Sequence, residues 1–263
     1  MNHIDVNGAA LRHELSGRGE RCVVLVHEMG ATLESWDEVA PELARARRVL
    51  RFDTRGAGLS QKLRGTADID VMADDVAALL DALGIAGKVA IAGGAVGAAI
   101  SLRFALRHPG RVSAIVAMAP AVGLTPERRI ATAQRADAIE RDGMRPLAAT
   151  GLDASWPPVM RGDIARLETF RARWLGNDPA SLAAIHRMLV GLDMLPDLGR
   201  IAVPTLVLAG RHDQVRPPAV VEPVANAIPG ARFQVLETAH FMPAQTPGLV
   251  AATIGDFLVA VGA

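Results

Sequence analysis

Short apolar runs recur along the chain at residues 22–26, 49–52, 89–92, 114–118, 205–209 and 233–236. Each is four or five residues long, too short for a helix and right for a strand buried on both faces. Between several of them the pattern changes period. Residues 71–80 (Val71-Met72-Ala73-Asp74-Asp75-Val76-Ala77-Ala78-Leu79-Leu80) place their apolar side chains at helical spacing. Ala98-Ala99-Ile100-Ser101-Leu102-Arg103-Phe104 also reads as a helix. Continuous apolar strands alternating with helices predict an α/β protein, with a mostly parallel central sheet covered by helices on both faces. Sites in such sheets lie beyond the carboxyl ends of the strands.

The alternation breaks between about Val122 and Asp197. That stretch has helical patterns at 128–142, 163–175 and 179–192 and a Pro157-Pro158 pair, but no convincing strand. Strand character returns only after Val203-Pro204. The expected organisation is a core formed by residues 1–121 and 198–263, with residues 122–197 inserted as a helical cap. Ordinary crossover helices are the alternative. No internal repeat or low-complexity tract interrupts this plan.

Composition narrows the function classes. Lys and Arg together number 28, as do Asp and Glu, so the net charge is zero and no basic stripe points to nucleic acid or an anionic membrane. Neither an apolar leader nor a membrane-length apolar run is apparent, so the expectation is a cytoplasmic monomer or homodimer acting on a small molecule. The lone Cys22 opens an apolar run and reads as a buried small hydrophobe. No metal-ligand spacing is visible. Gly93-x-Ala95-x-Gly97 lacks the third glycine and the downstream acid of a dinucleotide site, so no cofactor is expected.

The chemistry concentrates at three strand ends. Gly93-Gly94-Ala95-Val96-Gly97 joins the strand at 89–92 to the following helix. That is the setting of a nucleophile elbow, normally G-x-S-x-G, but its central residue here is alanine. Gly210-Arg211-His212-Asp213 follows the strand at 205–209, and Glu237-Thr238-Ala239-His240-Phe241 follows the strand at 233–236. Elbow, acid and histidine thus occur in the order Ala95, Asp213, His240. A carboxylate that orients an imidazole is what turns a weak oxygen nucleophile into a reactive one. The other histidines read as structural or surface residues, except that His27 lies next to the loop discussed below.

On these residues the chain resembles the α/β-hydrolase superfamily over essentially its whole length. Leu25-Val26-His27-Glu28-Met29-Gly30 resembles the first oxyanion loop, usually His-Gly-x, and Phe52-Asp53-Thr54-Arg55-Gly56-Ala57-Gly58-Leu59-Ser60 resembles the largely structural D-x-R-G-x-G-x-S loop. A finer similarity is to 3-oxoadipate enol-lactonases. It rests on the stretch from Arg48 to Gly56, on Leu79-Leu80-Asp81-Ala82-Leu83-Gly84-Ile85, on Gly30-Ala31-Thr32-Leu33-Glu34-Ser35-Trp36, and on Asn177-Asp178-Pro179 with Leu192-Asp193. The resemblance implies an α/β-hydrolase fold and oxyanion donors at the backbone N–H groups of Met29 and Val96. The implied activity is hydrolysis of a lactone or carboxylic ester, as in the breakdown of aromatic or alicyclic compounds.

Two departures matter. Ala95 stands where the family has its serine, and Glu28 stands where it has a glycine. Ala95 admits three readings: an inactivating replacement of a serine nucleophile, a natural serine-free enzyme, or a binding protein on a disused scaffold. In the second, His240 and Asp213 with Glu28 as acid partner would support lyase, hydratase or direct water chemistry. Glu28 is expected to face the substrate, or else to turn away and cap the next segment. Trp156 and Phe241 are expected as apolar walls of the pocket, with packing of the cap as the alternative for Trp156. Arg128, Arg129, Arg161, Arg166, Arg171, Arg173 and Arg187 are expected mostly on solvated helix faces, and any of them could meet a carboxylated substrate.

Overall fold

The computed structural model describes residues 2–145 and 152–263. Eight strands form one sheet in the order β1-β2-β4-β3-β5-β6-β7-β8. They are β1 (Asn2–Val6), β2 (Ala9–Ser16), β3 (Cys22–Val26), β4 (Arg48–Phe52), β5 (Val89–Gly94), β6 (Val112–Met118), β7 (Thr205–Gly210) and β8 (Arg232–Leu236). From β4 to β8 every neighbouring pair is parallel. Every residue of β3, β5 and β7 is buried, which is why these strands read as unbroken apolar runs.

The β1–β2 hairpin has no counterpart among the apolar runs. Its strands lie at the sheet edge, pair antiparallel and alternate polar with apolar residues. The signal that marks it is the Asn7-Gly8 turn, where both residues take positive φ (48° and 74°), as the tight hairpin turn requires.

The helices between the strands follow the predicted spacing. Helix α1 (Ala40–Ala44) packs on β2, β4 and the C-terminal α9 (Pro247–Ala260). Helices α2 (Ile69–Ala82) and α3 (Val96–Arg107) pack on each other, and α3 lies along β3, β5 and β6. Between β6 and β7 come α4 (Pro126–Asp142), α5 (Ile164–Leu175) and α6 (Pro179–Gly191), with no strand among the described residues of that stretch. The α5 and α6 starts are set by Asp163 and Asp178, whose carboxylates accept from the N–H groups of Arg166 and Ser181 at 2.9 Å each. The ends of this helical segment meet: Gly123 bridges Asp193, and Met194 N–H donates to Val122 O at 2.8 Å. Helix α7 (Pro218–Asn226) covers β7 and β8, and the short α8 (Met242–Gln245) follows the β8 loop.

Most buried apolar side chains form one core around the sheet. A second cluster sits in the helical segment and includes Trp156, Phe170, Trp174 and Phe241. Cys22 is buried and its thiol is pushed up to about 11 by desolvation, so it behaves as the predicted small hydrophobe. Among the described residues no helix is long and apolar enough to cross a membrane.

Candidate active site

The β5–α3 junction has elbow geometry. Ala95 takes φ 46° and ψ −107° between the last residue of β5 and the first of α3. Its N–H donates to Met118 O at 2.8 Å, and its carbonyl accepts from Ala99 N at 3.1 Å and Ala121 N at 3.0 Å. The flanking glycines are required by space. A Cβ on Gly93 would fall 2.3 Å from Gly97 O, and one on Gly97 would fall 2.3 Å from Val26 O. The turn is thus pressed against β3, and Ala95 is held at the strand tip in a conformation unusual for a residue with a side chain.

The acid and the histidine, 27 residues apart in sequence, meet at the neighbouring strand tips. His240 Nδ1 lies 2.8 Å from Asp213 Oδ2, and both residues are buried. Asp213 Oδ1 accepts from the N–H groups of Val215 and Arg216, each at 2.8 Å. Burial by itself raises the Asp213 carboxyl, but the attraction and hydrogen bond of His240 together with these N–H donors hold it below the usual carboxylate range. An ionised Asp213 accepts only, so Nδ1 carries the proton and Nε2 is left as the basic nitrogen.

The loop after β3 adds Met29. Met29 and Val96 line the same cavity as Ala95 and His240, and Val96 opens α3, where helical N–H groups have no intrahelical acceptor. The loop is braced from behind by His27. Its Nε2 accepts from Thr54 N–H at 2.9 Å, so its Nδ1 donates to Glu28 O at 2.8 Å, and burial favours the neutral ring. His27 therefore ties the loop after β3 to the loop after β4. Asp53 does the same lower down, accepting from Leu33 N and Leu59 N at 2.8 Å each.

These groups open onto a cavity of about 300 Å³ under the helical segment, lined by Ala95, Met29, Val96, His240, Phe241, Trp174 and Leu182 among others. Phe241 is a wall as expected, with its ring 4.5 Å from Phe170 and 5.4 Å from His240. Two residues expected at the pocket do not line it. Trp156 is buried behind it, 5.2 Å from Phe170, with Nε1 donating to Met160 O at 2.9 Å. Glu28 is also buried and does not line the cavity, bordering instead a much smaller pocket beside Met29 and Val96. Its Oε2 accepts from Ser35 Oγ at 3.0 Å, and Oε1 has no partner among the described residues. The reason is Gly94, because a Cβ there would lie 2.5 Å from Glu28 Cγ and the bare glycine leaves that space to the glutamate. Desolvation raises the Glu28 carboxyl above the usual range, against the smaller pulls of its own backbone N–H, Ser35 and His240.

Some lining residues were not singled out by sequence reasoning: Thr132, Arg135, Ser155, Gln214 and Arg216. His186, read as structural, also lines the cavity, and its Nδ1 bonds Leu182 O at 2.9 Å. One signal could have found the helical ones. Arg128, Thr132, Arg135 and Ile139 recur at the spacing of one α4 face. Of the seven arginines named from the sequence, five ion-pair with carboxylates: Arg161, Arg166, Arg171, Arg173 and Arg187. Arg129 binds the carbonyls of Leu124, Val190 and Leu192. Of the seven, Arg128 alone lines the cavity.

Comparison with known proteins agrees with this geometry. Residues 17–242 match the Hydrolase_4 family, described as serine aminopeptidase, S33. The acetyltransferase component of the Pseudomonas putida acetoin cleaving system is 42% identical over 118 residues, which is 44% of this chain and 32% of that protein. 3-Oxoadipate enol-lactonase 2 of Acinetobacter baylyi is 26% identical over 240 residues, covering 90% of this chain and 89% of that protein. A malate-bound thermophilic esterase from Thermogutta terrifontis superposes with a TM-score of 0.93 at 28% identity, covering 99% of both chains. The enol-lactonase from Burkholderia xenovorans LB400 gives 0.91 at 28% identity, covering 98% of this chain and 100% of that one. Elbow, acid, histidine and whole-chain similarity together establish that this chain belongs to the Hydrolase_4 family of the α/β-hydrolase superfamily, in the neighbourhood of the enol-lactonases.

Proposed function

We propose that this chain hydrolyses a small carboxylic ester or lactone, using His240 and Asp213 to activate water directly. The observation that carries this reading is the 2.8 Å His240–Asp213 pair opening onto the same cavity as the bare methyl of Ala95. With no hydroxyl at position 95, an acyl-enzyme cannot form there, and the methyl leaves room for a water molecule. His240 Nε2 takes a proton from that water as its oxygen bonds to the carbonyl carbon. The resulting oxyanion faces the N–H groups of Met29 and Val96, and donors of this kind each lower the barrier by about 3–4 kcal/mol. The imidazolium, stabilised by Asp213, returns the proton to the leaving oxygen as the C–O bond breaks. Water and ester become acid and alcohol, or a lactone opens to its hydroxy acid. The similarity to enol-lactonases supports a lactone from the breakdown of an aromatic or alicyclic compound.

One observation favours a second reading, in which alanine occupies the place of a serine nucleophile. Ala95 keeps positive φ, at 46°. Such strain costs about 1–3 kcal/mol and is usually retained for the chemistry of the residue that bears it. Hydrolysis of aryl esters and enol-lactones by the native chain, Ala95→Ser and His240→Ala separates the readings. Turnover by the native chain that His240→Ala abolishes supports direct water attack. Turnover confined to Ala95→Ser, with covalent labelling by a fluorophosphonate, supports the serine reading. Ligand binding with no turnover by either would overturn both in favour of a binding role.

A further inference from the structure

The cavity beside His240 is lopsided in charge. Among the described residues its lining contains Arg128, Arg135 and Arg216 and no aspartate or glutamate. None of these arginines forms an ion pair among the described residues. Arg216 comes from the loop after β7, three residues beyond Asp213, and is only 6% exposed. Its Nη1 donates to Pro120 O at 3.2 Å, the single hydrogen bond of that guanidinium among the described residues. The carboxylate of Asp213 does not neutralise it by contact, since its oxygens are taken by His240 and by the N–H groups of Val215 and Arg216. Arg128 stands next to this loop, with Nη2 donating to Val215 O at 2.8 Å. Burial and the neighbouring Arg128 push the Arg216 guanidinium down to about 10 against the smaller through-space attraction of Asp213, so it remains a cation at neutral pH. Arg135 lies two turns along the same α4 face, at an exposed position.

Five donors on a planar guanidinium suit a carboxylate, and a buried cation without a partner is costly unless a ligand completes it. We propose that Arg128 and Arg216 form a carboxylate-binding subsite, so that the substrate is an anionic ester or lactone, with Arg135 drawing it in at the exposed end. This rests on the hydrolase reading only in placing the reacting carbonyl by Ala95 and His240. Hydrogen bonds from arginine also distinguish a carboxylate from a neutral group of the same shape.

Isothermal titration of the folded chain with glutarate and with its neutral diamide tests this without requiring turnover. The expected result is binding of glutarate, at least tenfold tighter than the diamide, with a tenfold or greater weakening in Arg128→Gln. Arg216→Lys, checked for folding by circular dichroism, should keep the charge yet weaken binding through loss of the planar fork. Because Arg128 is half-exposed, its variant decides the matter if Arg216→Lys fails to fold. Equal affinity for glutarate and the diamide, no glutarate binding, or unchanged affinity in Arg128→Gln overturns the subsite. Glutarate discrimination without ester or lactone turnover keeps the subsite and overturns the hydrolase reading. Turnover without discrimination does the reverse.

Discussion

Replacing Asp213 with asparagine isolates what the carboxylate does for His240. The backbone dictates how the amide must sit. Val215 and Arg216 each point an N–H at Oδ1 from 2.8 Å, so the asparagine must present its oxygen there and its NH2 to His240. An NH2 at the present 2.8 Å from Nδ1 can only donate, which moves the ring proton to Nε2. The nitrogen facing the cavity then carries a proton and cannot accept one from water. The imidazolium formed in the transition state also loses its counter-charge. In serine proteases the same change lowers kcat about ten-thousand-fold, or roughly 5.5 kcal/mol at 1.36 kcal/mol per tenfold. A loss of that order is expected for Asp213→Asn in both the native chain and Ala95→Ser, measured as kcat/KM on one aryl ester. The pH profile should change with it, because the ring nitrogen that faces the cavity no longer accepts a proton. A variant within tenfold of its parent, with the profile intact, would show that His240 acts without the carboxylate and would refute the mechanism. The stability effect has its own sign. The native Asp213 carboxyl is held below the ordinary range, so its contribution is present above about pH 4 and is lost as pH falls through the depressed value.

Glu28→Gln should show the opposite pH dependence. The buried Glu28 carboxyl is raised above 4.5, so the native chain loses stability as pH rises from there toward the folded value. Melting curves from pH 4 to 8 should therefore favour Glu28→Gln increasingly with pH, whereas a constant offset would contradict a buried titrating carboxyl. Gly94→Ala places a Cβ 2.5 Å from Glu28 Cγ and should cost about 1–3 kcal/mol by overpacking. In urea denaturation, combining it with Glu28→Ala should recover most of that loss, and strict additivity would show that the two sites do not share space. Trp156→Ala should cost about 3–5 kcal/mol in thermal or chemical unfolding, because the indole is buried against Phe170 outside the cavity. A stable Trp156→Ala with altered glutarate binding would instead place Trp156 at the ligand.

The apolar runs located β3 and β5–β7 because these strands are covered on both faces, and a strand with no wet side leaves a continuous signature. β1 and β2 escaped the same test because an edge hairpin has a wet side, and there only the Asn7-Gly8 turn signals the fold. Helix periods located α2, α4, α5 and α6 to within a few residues, since helical spacing and a capping aspartate or threonine are local properties.

The sequence by itself determined the elbow and the order of acid and histidine, because each lies within a few residues of a strand end and glycine spacing is a local steric demand. Only the tertiary structure decided which side chains share the cavity. Glu28 lies in the loop after β3, directly before Met29, yet it is drawn aside by the space at Gly94 and by Ser35. Arg216 was not conspicuous in the chain, yet it becomes a buried cation beside the site because the loop that holds Asp213 folds beneath α4. Burial and charge pairing are sums over neighbours distant in sequence, so nothing local to residue 28 or 216 records them.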